Sequence, residues 1–522
     1  MAATSLPSLT TTLSLVDTDP AELAVDAIVV GLHSASGDGD LSGPLLAPGA
    51  ESVAAAFDGK LAATLALLGA SGGAGEVTKL ATLGTISSPV IAAVGLGPVP
   101  DESGVPAETL RRAVATAVRS LSGNAKVALA LPVPDGADGD DLTLRAVAEG
   151  ALLGGYRFVG YKTKPQSSRR DPVKSVALLV PDAGDKHAKA EIKRATVVTA
   201  AVARTRDWVN TAPNELRPPD FAAAVSAAAT TAGLEVEVLD EKALKKGGFG
   251  GVLAVGMGSA APPRMVILRY APKGATTHVA LVGKGITFDT GGYAIKPAQG
   301  MWEMKSDMAG AAAVASTMIA IAALKPKIAV TAYLPMAENM ISGTAYRPGD
   351  VVTMYGGKRV EVLNPDAEGR MILADAIVRA AEDDPDYLVE TSTLTGGQVI
   401  SLGKKISGVM GDETFIARVA AAGDRVGEPA WPMPLPDDVR KGMDSDVADI
   451  SQINAGMDRA GHMLQGGVFL REFVADGLPW AHIDIAGPSY HSGEATGYWT
   501  KGGTAVPVRL LLALLDDIAA NG

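Results

Sequence analysis

Asn364-Pro365-Asp366-Ala367-Glu368-Gly369-Arg370 sets two acids two positions apart, with an arginine two further on. In an extended chain side chains alternate, so all three charges fall on one side. Pro365 disfavours helical angles at Asn364, which keeps the acids extended. Val360 to Leu363 before them reads as a strand and Met371 to Val378 after them as a helix, with Gly369 free to turn tightly between the two. Charges gathered at a strand's carboxyl end lie where open α/β sheets hold their ligands. Alone, the segment reads as well as a solvated charged loop.

A second charged cluster runs from Gly283 to Asp307, GKGITFDTGGYAIKPAQGMWEMKSD, directly after the strand pattern His278–Val282. Lys284 and Asp289 flank a Gly-rich turn, Lys296 follows, and Asp307 opens the apolar run Met308–Leu324. Capping and dipole compensation are the routine explanation for an acid at a helix start. Jointly the clusters supply Asp289, Asp307, Asp366 and Glu368, with Lys284, Lys296 and Arg370 beside them. Four converging acids repel, and hard carboxylate oxygens suit Mg, Mn or Zn as the remedy. Two ions roughly 3.5–4 Å apart clamp both the attacking and the leaving oxygen in a hydrolysis. A lysine joins such a centre only as the free amine. The alternative is an ordinary ion-pair network.

The remainder of the chain supplies a frame. With 522 residues it is too long for one core. Strand patterns at Ala27–Leu32, Val90–Leu96, Val127–Leu131 and Ser175–Val180 alternate with helical ones at Glu108–Leu121 and Leu142–Leu153. This predicts a smaller N-terminal α/β domain over 1–185. The unbroken pattern Ala188–Val209 predicts a linker helix over 186–210, and Asn210–Pro219 punctuates it. A larger α/β domain over 211–522 follows, a central mixed sheet flanked by helices. Its strands lie near Val266–Leu268, His278–Val282, Ile328–Leu334, Val360–Leu363, Tyr387–Val389 and Ala481–Ile485, and Val508–Ile518 closes the chain as a helix.

Composition narrows the function. A net charge of −12 with no basic tract gives nucleic-acid binding no electrostatic support, and bound cations would offset part of the excess. The absence of cysteine excludes disulfides, thiolate metal sites and cysteine nucleophiles, and suits a reducing compartment. No Lys or Arg precedes Lys60, so a signal peptide's basic start is missing, and Met308–Leu324 falls short of a ~20-residue membrane span. A soluble cytoplasmic protein without a membrane partner is expected. There is no G-x-S-x-G elbow. The six histidines lack metal spacing; His482 and Trp480 sit in an apolar strand and read as core residues.

GKGITFDTGG, IKP, MKSDMAGAAAV, RPGDVV and NPDAEGRMILADA resemble the cytosolic leucine aminopeptidase family. NTAPNELRPP, VGMGSAAPPR, STLTGG, GGVFLREF and WAHIDIAGP extend the likeness from about residue 200 onward, and GGYRFVGYKT carries it loosely into the N-terminal third. The resemblance implies a leucyl aminopeptidase, a metallo-exopeptidase that releases N-terminal residues from peptides through a hydroxide bridged by two metals. It makes Lys284 and Asp307 ligands of the tighter site. Asp366, by side chain and carbonyl, serves the exchangeable one, and Asp289 and Glu368 bridge both. Lys296 polarises the scissile carbonyl, and Arg370 holds a bicarbonate that acts as base. Met304, Thr393, Gly396 and Ala486 line the pocket for the first side chain. The substrate's free α-amine binds one metal, and the assembly is a homohexamer. Two departures from the pattern are Pro365, where Thr is usual, and Glu390, where Asp or Asn is commoner.

Overall fold

The computed structural model describes residues 6–35, 43–100, 104–133, 142–163 and 170–522. The chain packs as two compact units: Met1–Ala203 with Gly493–Thr500, and Arg204–Ser492 with Lys501–Gly522. The division at 203/204 falls inside the long helix Lys186–Asn210.

The first unit is built on a seven-stranded sheet in the order Thr12–Val16, Ser175–Leu179, Lys126–Ala130, Ala27–Ser34, Val90–Pro98, Val77–Ala81, with Leu45–Leu46 beside Ala27–Ser34. Its central strands are parallel and buried on both faces, hence their unbroken apolar runs. Val29, Val94, Val127 and Val176 pack on one face with the helices Ala107–Ser120 and Thr143–Gly154. Ile28, Val30, Ile91 and Ala128 pack on the other with Val53, Leu61 and Leu65. The segment Gly493–Thr500 is tied into this unit: Tyr498 Oη donates to Glu108 at 2.8 Å, and Arg112 lies 5.4 Å over the Tyr498 ring.

The second unit carries a nine-stranded mixed sheet, ordered Ala430–Pro432, Ser407–Gly411, Trp480–Asp484, Tyr387–Ser392, His278–Gly283, Ala329–Asn339, Arg264–Tyr270, Glu235–Leu239. Gly285–Asp289 is an extra strand on Ala329–Asn339. The four central strands are parallel, so their carboxyl ends emerge together. Ala280 and Val282 share a core with Met371–Ile377 and Val468–Leu470; Val279 and Leu281, equally buried, face the opposite side.

The three-residue strand before the charged segment is Arg359–Glu361, and it lies in a small sheet with Val351–Thr353 and Ile450–Ser451, outside the main sheet. The helix after it starts at Glu368 and runs to Ala381. The extended geometry expected for both acids is therefore corrected. Asn364 Oδ1 accepts from Asp366 N at 3.0 Å and Asn364 O from Ala367 N at 2.9 Å, which folds the segment into a turn.

The apolar helix begins at Ala309, one residue later than expected, and a 3-10 turn Met301–Ser306 precedes it. Together Met301–Leu324 is long and apolar enough to cross a membrane, which corrects the length argument; 78% of its most apolar window is buried inside the protein. Burial, rather than length, marks it as a core helix.

Candidate active site

Four backbone segments converge at the carboxyl ends of the central strands. Lys284 follows His278–Gly283, Asp289 ends Gly285–Asp289, Asp307 ends the 3-10 turn, and Asp366 and Glu368 enter from the turn and helix start described above. Six of the seven predicted metal-ligating and catalytic residues lie on these segments, Lys296 reaches in from the loop after Asp289, and two lysines thus join the four acids. Lys284 Nζ lies 2.9 Å from Asp307 Oδ1, 2.8 Å from its Oδ2 and 2.8 Å from Glu368 Oε1. It also donates to the Thr393 carbonyl at 3.0 Å. Lys296 Nζ lies 2.8 Å from Asp289 Oδ2 and bonds Asp366 Oδ1.

Asp307 does not cap the apolar helix: the N-cap is Met308, without a side-chain bond. Its carboxylate turns to Lys284 and to the Thr393 hydroxyl, which donates at 2.7 Å. The capping explanation is thereby set aside.

Backbone shape admits these contacts only because certain side chains are missing. The Gly-rich turn follows Asp289; the stretch between Lys284 and Asp289 is strand. Gly291 has φ +84°, and a Cβ there would lie 2.8 Å from Asp366 Oδ1. Gly369 does not make the expected turn. It sits in the first helical turn, where a Cβ would meet Lys284 Nζ at 2.6 Å.

Charge and burial oppose each other throughout the site. Burial works against charge on Lys284, but Asp307, Glu368 and Asp289 outweigh it and hold the amine above its ordinary range. Lys296 is likewise raised, burial being overcome by Asp289, Glu368 and Asp366. Burial pushes Asp307 well up, Lys284 opposing and Glu368 and Asp289 adding to the shift. Burial and Asp289 raise Asp366 to about 6 against the pull of Lys296. Asp289, Asp366 and Glu368 can each offer one oxygen within 4.8 Å of one another, a donor set that fits a hard divalent cation.

Arg370 projects from the same helix start and is buried. Nη1 donates to Gln452 O at 2.6 Å, while Nε has no partner. Burial lowers its pKa to about 10, with Glu368, Asp484 and Asp366 opposing. A buried guanidinium with an open donor suits an anion. Gln452, which sequence reasoning missed, cradles the turn from the other side: Oε1 accepts from Asn364 N at 2.8 Å and Nε2 donates to Ala367 O at 3.2 Å.

The four residues expected to line the pocket divide. Met304, Thr393 and Ala486 are half-buried, and Gly396 is exposed, with nothing within 4 Å of where its Cβ would stand. The Thr393 hydroxyl is committed to Asp307, and Ala486 N donates to Asp484 at 3.1 Å. Glu390 and His482 are cross-strand neighbours, both fully buried and bonded to each other through Nδ1, so His482 is a core residue as expected, but its buried Nε2 has no partner. Asn339 and Tyr346 also escaped sequence reasoning. The strand expected to end at Leu334 continues to Asn339, and the polar pair Glu338-Asn339 at that strand's carboxyl end was the available signal.

Comparison with known proteins agrees with this layout. Residues 203–512 match the catalytic domain of the cytosol aminopeptidase family and residues 29–165 its N-terminal domain. A probable cytosol aminopeptidase of Streptomyces griseus is 50% identical over 524 residues, covering 98% of this chain and 99% of that protein. One from Rhodococcus jostii is 50% identical over 501 residues, 95% of this chain and 96% of its own. Among solved structures, the bottromycin maturation enzyme BotP, solved also in complex with Mn, superposes with TM-score 0.81 at 34% identity, covering 95% of this chain and 100% of that one. A mutant of tomato leucine aminopeptidase superposes with TM-score 0.84 at 28% identity over 98% of this chain and 97% of its own. The chain belongs to the cytosol aminopeptidase family and is a peptidase, a hydrolase of two α/β domains.

Proposed function

We propose that the protein is a metal-dependent aminopeptidase that releases N-terminal residues, leucine preferred, from peptides. The observation that carries this is the gathering of Asp289, Asp307, Asp366 and Glu368 around two lysines at the ends of parallel strands. In this reading Lys284, as a free amine once the ion displaces its proton, and Asp307 would hold the tighter of two divalent ions (Mn, Zn or Mg), Asp366 would hold the more exchangeable one, and Asp289 and Glu368 would serve both. When bound, such ions supply a water activated near neutral pH and a clamp on the reacting oxygens.

The chain's own groups do the remainder. Lys296, held cationic by its acidic neighbours, would stabilise the negative charge that develops on the scissile carbonyl oxygen. Arg370, whose buried Nε is open, would hold a bicarbonate, and that anion would supply a general base beside the centre. Met304, Thr393, Gly396 and Ala486 receive the first side chain, and the open space at Gly396 supports a leucine-sized group there. Cytoplasmic location is supported by the relatives' name and the lack of cysteine. A homohexamer is proposed on family resemblance.

A metal-titrated assay across aminoacyl anilides tests the reading. Leucyl-anilide turnover that disappears with chelator and returns with Mn²⁺, Zn²⁺ or Mg²⁺ is expected. Folded, metal-loaded protein without such turnover would defeat it. Light scattering that gives a mass other than six chains would remove the hexamer alone.

A further inference from the structure

We infer that Asn339, together with Tyr346, is a positioning residue that sets the spacing between the two backbone segments bearing Asp289 and Asp366. The inference rests on the metal-centre reading above. Asn339 is the last residue of its strand and the register partner of Asp289, the last residue of the adjoining strand. It is fully buried. Nδ2 uses one N–H for Asp289 Oδ1 at 2.8 Å and the other for Pro365 O at 3.0 Å. Tyr346, also buried, donates its hydroxyl to the same Pro365 O at 2.7 Å. The Asn339 carbonyl accepts from Thr290 N at 3.1 Å and Thr290 Oγ1 at 2.8 Å, which holds the turn after Asp289 to the same strand end.

A primary amide is suited to this place because it offers two donors at a fixed angle. Aspartate at 339 would bring no donor and add a charge against Asp289; alanine would reach neither acceptor. Asp289 Oδ1 also accepts from Gly291 N at 2.8 Å. Two donors on Oδ1 oppose rotation of the carboxylate, and Oδ2 is the oxygen turned to the cluster, where Lys296 Nζ lies 2.8 Å away. The Pro365 carbonyl is the anchor on the second segment, one residue before Asp366. A Cβ on Gly292 would lie 2.9 Å from Pro365 Cβ and 3.1 Å from Asn339 Oδ1, so the two turns touch at this point. Asn339 and Tyr346 thus support the ligand oxygens from behind, without facing substrate.

The test is calorimetric titration with Mn²⁺ of chelator-stripped, full-length wild type, Asn339→Ala, Asn339→Asp and Tyr346→Phe, with the Tm of each stripped protein and kcat and KM for leucyl p-nitroanilide. Wild type should bind two ions. In the variants the weaker ion should bind about 10- to 100-fold less tightly. kcat should fall, KM should stay within about twofold of wild type, and the stripped Tm of Tyr346→Phe should remain near that of wild type. Variants with wild-type Mn²⁺ affinity and kcat, whatever their Tm, would overturn the inference. If Asn339→Ala fails to fold, Tyr346→Phe decides by the same readouts. A folded wild type that binds no Mn²⁺ overturns the metal-centre reading and this inference with it.

Discussion

Gly369 and Lys284 claim one volume: a Cβ on Gly369 would stand 2.5 Å from Lys284 Cε and 2.6 Å from Nζ. The lysine cannot retreat, because its ammonium is enclosed by Asp307, Glu368 and the Thr393 carbonyl. Gly369→Ala should therefore move Lys284 off its partners and lower leucyl-anilide kcat by about 100-fold or more. The substitution favours helix locally, so circular dichroism should show an unchanged secondary structure. Full activity in this variant would mean that Lys284 has no part in the centre.

Lys296→Ala removes the cation between Asp289 and Asp366. Turnover of leucyl-anilide should fall by about 10²–10³-fold in kcat, the loss seen when one donor to a developing oxyanion is removed. Glu368→Ala leaves the buried Lys284 ammonium with Asp307 as its sole carboxylate partner, and should abolish turnover with the fold retained. Full activity in either variant would defeat the assignment.

Of the residues proposed to line the pocket, Gly396 is one where a side chain can be added without a clash, since nothing lies within 4 Å of its Cβ position and its φ is ordinary. Gly396→Val should narrow the pocket and lower kcat/KM for leucyl relative to alanyl substrate by about 10-fold. An unchanged leucyl-to-alanyl ratio would remove Gly396 from the pocket.

Asp375, seven residues beyond Glu368 on the same helix, offers a pH test on a residue outside the proposed ligand set. Burial raises its carboxyl to about 7, although Tyr355 N at 2.8 Å and Val252 N at 2.9 Å pull it back. The ordinary value is about 3.9. The folded state therefore binds this proton more tightly than the unfolded chain does. Its contribution to stability is fully present below about pH 4 and is lost as pH rises through about 7. Denaturant melts between about pH 5 and about pH 7.5 should show a falling component in wild type that Asp375→Asn lacks.

Much of this was legible in the sequence, and the misses have physical causes. Strands such as Val90–Pro98 and His278–Gly283 are buried on both faces and announce themselves as apolar runs. Thr12–Val16 and Val77–Ala81 lie at the two ends of the first sheet, are half-exposed, and lack such a run. The charged clusters were visible because chemistry concentrates unusual residues. Their geometry was not: Asn364 folds the segment through its own side chain, which local alternation does not encode. Local sequence alone favours a turn at Gly369, since it cannot show a lysine arriving from 85 residues away. Pro365 acquires a role only in three dimensions, its carbonyl accepting from Asn339 and Tyr346.

The return of Gly493–Thr500 to the first unit has a practical consequence for handling the gene. No single cut yields both units whole, since the chain passes between them at 203/204, 492/493 and 500/501. A fragment ending near residue 203 would lack Tyr498 as partner for Glu108, and Arg119 would lose the Gly497 carbonyl at 2.5 Å. A grafted copy of the eight-residue segment, joined to that fragment by a flexible tether, is the form in which the N-terminal unit should be expressed alone.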